Sequence, residues 1–139
     1  MKKIAVSGLF LFLLVFMSCN TDGSGANIDL LDFITMKSSD AKVQNWKQAT
    51  SFSKNEDIGF AIVVENPDGN LTKFVLTVKK DGAVYDIKDY PFSNNSPKFT
   101  LYFSNSLFIN EIGNYTGEVY AVDKNGNHSN TRNTSFEVK

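Results

Sequence analysis

Phe60-Ala61-Ile62-Val63-Val64-Glu65, followed by Asn66-Pro67-Asp68-Gly69-Asn70 and then by Thr72-Lys73-Phe74-Val75-Leu76-Thr77-Val78-Lys79, reads as strand, turn, strand. Phe60, Ile62 and Val64 alternate with Ala61, Val63 and Glu65, and Phe74, Leu76 and Val78 alternate with Val75, Thr77 and Lys79. A period of two sends successive side chains to opposite faces of a strand. Between the runs, Gly and Asn supply the positive φ that a tight turn needs. Working outward, Phe99, Leu101 and Phe103 alternate with Thr100, Tyr102 and Ser104, and turn residues recur at Lys80-Asp81-Gly82 and at Asp123-Lys124-Asn125-Gly126-Asn127. Seven strands are expected, over 28–36, 58–65, 72–79, 83–88, 98–104, 114–122 and 131–138. Short strands joined by tight turns at regular spacing predict an all-β fold, an antiparallel sandwich or barrel. The segment 37–55 reads as a loop, a split first strand or one helical turn. Its Trp46, the one tryptophan, suits the end of a core better than a ligand platform.

The other end of the chain carries an address. Met1-Lys2-Lys3 precedes the apolar run Ile4 to Met17, then come Ser18 and Cys19, the sole cysteine. A basic start, an apolar middle and a small residue before the cut make a secretory signal. At 14 residues the run is too short for a membrane-spanning helix, which needs about 20. Ser18-Cys19 resembles the end of the lipobox of bacterial lipoproteins, with Phe16 standing where that pattern usually has leucine. The resemblance implies that residues 1–18 are removed, that Cys19 is acylated and becomes the N-terminus, and that the protein sits in a bacterial envelope, at the outer membrane or cell surface. Residues 19–27, small and polar after the cysteine, have the composition of a flexible tether, leaving 28–139 as one domain.

Composition excludes several function classes. Without Lys2 and Lys3, 12 basic residues face 15 acidic ones, and the basic set includes one arginine, Arg132, with scattered lysines. A nucleic-acid surface needs clustered Arg and Lys, so none is expected. With one histidine and one cysteine, neither a soft-metal site nor any other cofactor is expected. With Cys19 committed to lipid no disulfide can form, and the core alone must hold the domain.

The stretch Glu111-Ile112-Gly113-Asn114-Tyr115-Thr116-Gly117 resembles the start of the sixth strand of an immunoglobulin domain, where an acidic residue, a glycine, a tyrosine and a cysteine fall at every second position. Gly117 stands in the place of the cysteine. The resemblance implies a corner in which the Tyr115 ring packs in the core while its hydroxyl bonds backbone a few residues upstream. It also brings Ile62 and Phe74 near the places of the family's first cysteine and buried tryptophan. The continuation Val119-Tyr120-Ala121-Val122-Asp123, with Gly126-Asn127 and Ser129, is similar to the last hairpin of fibronectin type III modules. The expected fold is therefore an immunoglobulin-like sandwich of about seven strands.

No catalytic pattern emerges. His128, the one imidazole, falls in a turn with no nucleophile motif to serve, and no pair of carboxylates is marked out. Asp123-Lys124-Asn125-Gly126-Asn127 begins like a calcium loop, but His128 and Thr134 occupy the positions of its glycine and its bidentate glutamate. Tyr85, Tyr90, Phe92 and Tyr102 are the residues hardest to place inward, so they are the candidates for an exposed strip that binds a peptide or glycan; the alternative is packing of the loop 89–93 on the sheet. The expected function is a membrane-anchored, non-catalytic module that binds or adheres to a protein or glycan partner. A structural subunit of an envelope complex comes second and an enzyme third.

Overall fold

The computed structural model describes residues 25–43 and 47–139, with backbone alone at Val43, Asn105 and Ser106. The expected signal, the acylation of Cys19 and Trp46 lie outside the described residues. In chain order come β1 (Asp29–Lys37), α1 (Ser38–Val43), β2 (Ser51–Phe52), β3 (Asp57–Glu65), β4 (Leu71–Lys80), β5 (Ala83–Asn94), β6 (Lys98–Phe108), β7 (Gly113–Asp123) and β8 (Arg132–Val138).

Two sheets form, one in the order β1-β3-β6 and one in the order β2-β8-β7-β4-β5. Neighbouring strands are antiparallel except β2, which runs parallel to β8. The opening stretch of β3 and β4 forms one strand in each sheet. Their inward side chains meet: Phe60, Ile62 and Val64 from β3 face Phe74, Leu76 and Val78 from β4, all buried. Burial of each such side chain is worth about 1.5–3 kcal/mol. Phe33 and Phe60 stack at 5.3 Å, and the Phe136 ring meets Phe60 edge-on at 6.5 Å, bridging the layers. A Cβ added at Gly117 would touch the Phe33 and Phe60 rings at 3.4–3.5 Å, so aromatic carbon fills the space beside the residue that stands where the resemblance puts a cysteine.

The β4–β5 hairpin turns on Asp81 and Gly82, with φ of 50° and 85°. Two successive positive φ values in a two-residue loop match the right-handed twist of the flanking strands, and Asp-Gly is the sequence that tolerates them.

Several boundaries differ from the sequence reading, among them β6, which runs four residues past its expected end to Phe108. The segment 37–55 holds both a helical turn, α1, and a two-residue strand, β2, which raises the strand count to eight. β2 lies in the other sheet from β1 and pairs parallel with β8. β5 runs to Asn94, six residues beyond the expected end, and absorbs Pro91. The domain also takes in Ala26 and Asn27, assigned above to the tether: Ala26 is buried with its N–H donating to the His128 carbonyl at 3.2 Å, and the Asn27 amide donates to Asp68 at 3.0 Å.

The outer edge of β1 is covered by side chains from far along the chain. The Leu30 N–H donates to Asn130 Oδ1 at 2.7 Å, while Asn130 Nδ2 and Arg132 Nε both donate to the Leu30 carbonyl. Further on, the Ala49 N–H donates to the Thr35 carbonyl at 2.9 Å and the Thr35 hydroxyl to the Ala49 carbonyl at 2.6 Å.

Candidate functional site

β5 and β6 are the outer strands of their sheets on the same side of the sandwich, and no hydrogen-bond ladder joins them. Aromatic rings close the gap. Tyr90 packs on Phe103 at 4.7 Å, Phe92 on Phe99 at 5.7 Å, and Phe74 meets both Phe92 and Phe103 at 6.0 Å. Tyr85 stands edge-on to Tyr115 at 5.4 Å. Tyr85, Tyr90 and Phe92 are half-buried against the core, so the expected exposed strip is instead a seam between the sheets. The cause is the length of β5: once the strand continues through Pro91, Tyr90 and Phe92 fall on its inward face by the period of two. Tyr102 is separated from the other three. It pairs with Ala61 on β3 and alternates with the inward Leu101 and Phe103, which places it on the outer face of the three-stranded sheet. Partial burial there pushes its hydroxyl pKa up, a hydrogen bond with Thr100 partly opposing this.

Tyr115 makes a corner. Its ring is buried and stacks on Phe136 at 5.5 Å, and its hydroxyl donates to the Glu111 carbonyl at 2.8 Å, four residues upstream. Lys80 clamps the same loop from β4, pairing with Glu111 at 2.7 Å and standing 5.9 Å from the centre of the Tyr115 ring. Burial pushes the Tyr115 pKa up. The folded state then favours the neutral phenol, so its contribution is present below the unfolded value of about 10 and is lost as pH rises through the folded value. Tyr115→Phe is expected to cost about 1 kcal/mol, the net worth of one hydrogen bond. Thermal unfolding checks this, and an unchanged Tm would remove the hydrogen bond from the corner's stability.

The β7–β8 turn is organised by the buried Asp123. Its carboxylate accepts from the N–H groups of Asn125 and Asn127 at 2.8 and 2.9 Å and from the Asn127 amide at 3.1 Å. Burial alone would push this carboxyl up, but the bonds from Asn127, Asn125 and Gly126 outweigh it and hold the pKa below its ordinary value. The oxygens that a calcium loop would turn to the ion serve the turn itself. A lowered folded pKa means stability present at neutral pH and lost as pH falls through that value. Asp123→Ala should therefore lower Tm at pH 7, with the gap to the parent narrowing below pH of about 4. A gap that does not change with pH would sink this assignment.

His128 is exposed, and its ring stacks on Tyr120 at 4.5 Å. Among the described residues, no group of three or more His, Cys, Asp or Glu is placed to hold a metal ion. Among the described residues, the large apolar side chains that remain exposed are Val84 and Ile87 on β5, Phe108 at the end of β6, and Ile112. Sequence reading missed the first pair, because only the paired strand β4 shows that Val84 and Ile87 lie on the outer sheet face, opposite Lys79 and Thr77.

No protein-family model and no curated protein matches the chain. Solved structures do. A Niemann-Pick type C2 protein from Japanese carpenter ant is similar over 85% of this chain and 96% of its own, with 9% identity and a TM-score of 0.51. The CARDB domain of a Pyrococcus furiosus protein is similar over 81% and 96%, with 14% identity and a TM-score of 0.40. At such identities a likeness concerns the fold alone. The chain is a mostly-β, immunoglobulin-like sandwich of two sheets.

Proposed function

We propose that this protein is a bacterial envelope lipoprotein, held on a membrane by lipid on Cys19, whose sandwich works by contact as a binding or adhesion module. The observation that carries the reading is the short distance between two features: a lipobox-like Ser18-Cys19 and a domain that is already packed at Ala26. A cysteine so close to a stable sandwich suits an anchor that holds one compact module near the lipid. The absence of a catalytic pattern in the sequence and the occupation of His128 in a ring stack support contact over chemistry. The partner is a protein or glycan.

Protease treatment of intact cells tests the adhesive role. Digestion of the domain fits a module displayed outward. Protection fits the second reading, an assembly subunit facing the periplasm, which the open edge of β5 also favours because exposed strand edges take up partner strands.

A further inference from the structure

β5 is a twelve-residue edge strand. Among the described residues it pairs with β4 on one side and with no strand on the other. The fold treats its edges unequally: side chains of Asn130 and Arg132 bond the backbone at the outer edge of β1, whereas among the described residues no strand pairs with the outer edge of β5. Pro91 shows which groups β5 offers. Pro91 lies opposite Lys73 on β4 and has no N–H, so its nitrogen turns toward the free edge. The ladder is regular from Asp86 to Pro91. By alternation the N–H and C=O of Ile87 and Asp89 also face the free edge, while those of Asp86, Lys88 and Tyr90 face β4.

We propose that a second copy of this chain occupies that edge, its β5 running antiparallel with the two-fold axis at Ile87. In this register the sequence is its own complement. Ile87 lies opposite Ile87 of the partner subunit, exchanging both backbone hydrogen bonds, and its side chain is 58% exposed in the single chain. Asp86 lies opposite Lys88 of the partner subunit, and Lys88 opposite Asp86 of the partner subunit. The two charges already share one face of β5, 3.6 Å apart. Against an unrelated strand, charges on an edge act as a deterrent; against this strand's own copy they attract twice. The paired patch is isologous, as a two-fold dimer requires. Pro91 limits the ladder to its central residues and so discourages open-ended growth.

Self-association does not depend on lipid at Cys19, but is compatible with it. Antiparallel pairing puts the two Gly25 ends at opposite ends of the joined sheet. The six residue steps from Cys19 to Gly25 span up to about 21 Å, enough for both copies to reach one membrane with their strands lying along it.

The test uses the full chain with Cys19→Ala in sedimentation velocity, alone and with charge reversals. The expected result is a concentration-dependent dimer, weakened at least about tenfold by Asp86→Lys or by Lys88→Asp and recovered in the double reversal. Ile87→Lys should abolish the dimer without lowering Tm, since its side chain is exposed. With Ile87→Cys added, a short bis-maleimide should join two copies, whereas Ser53→Cys should not give that product. A monomer at all concentrations, a dimer indifferent to both charge reversals, or equal cross-linking through the two cysteines would overturn the proposal.

Discussion

Phe74→Ala is expected to cost about 3–5 kcal/mol, the range for removing a large ring from a close-packed core. Phe74 is fully buried on β4, and its ring touches Phe92 of β5 and Phe103 of β6. Among the described residues no backbone ladder joins those two strands, so the ring contacts are a principal closure of this side of the sandwich. Truncation leaves a cavity at that seam and removes the common partner of both edge strands. Against a total stability of about 5–15 kcal/mol for a domain, the loss is a large fraction. Urea unfolding should show a lower midpoint, and hydrogen exchange should show β5 amides opening before those of β7. A cost below about 1 kcal/mol would mean that the seam is not closed by these rings.

Cys19→Ala is expected to move the protein from the detergent phase to the aqueous phase. Each buried CH₂ of an acyl chain contributes about 0.8 kcal/mol; one chain holds marginally, and two or more hold stably. The lipoprotein pattern that residues 16–19 resemble carries several chains, so a single atom, the Cys19 sulfur, would govern the location of the whole protein. Among the described residues no helix is long and apolar enough to cross a membrane. Retention of the variant in the detergent phase would contradict the anchor.

The alternation at Phe60–Val64, Phe74–Val78 and Phe99–Phe103 made the sandwich legible, because period two survives wherever one face is buried. The resemblance of the stretch from Glu111 to Gly117 to an immunoglobulin sixth strand likewise implied the corner at Tyr115. Other features depend on distant partners. Asn130 and Arg132 reach Leu30 across about a hundred positions of sequence, and no local pattern announces that. β2 has two residues, too few to show a period. Pro91 gave the wrong sign: a proline demotes a strand unless it lies on an edge with its nitrogen outward, and edges are assigned only when the sheet is assembled. The expected strand ended at residue 88, and Tyr90 and Phe92, read as part of the loop 89–93, looked exposed. The candidate site moved with it, from rings that fill the seam to the outward Ile87 and the unpaired edge beside it.

The most direct test of an anchored module is the mass of the mature N-terminal peptide isolated from membranes. The predicted result is a chain beginning at Cys19 and carrying the added mass of acyl groups. A chain beginning at any other residue, or a Cys19 with a free thiol, would contradict it.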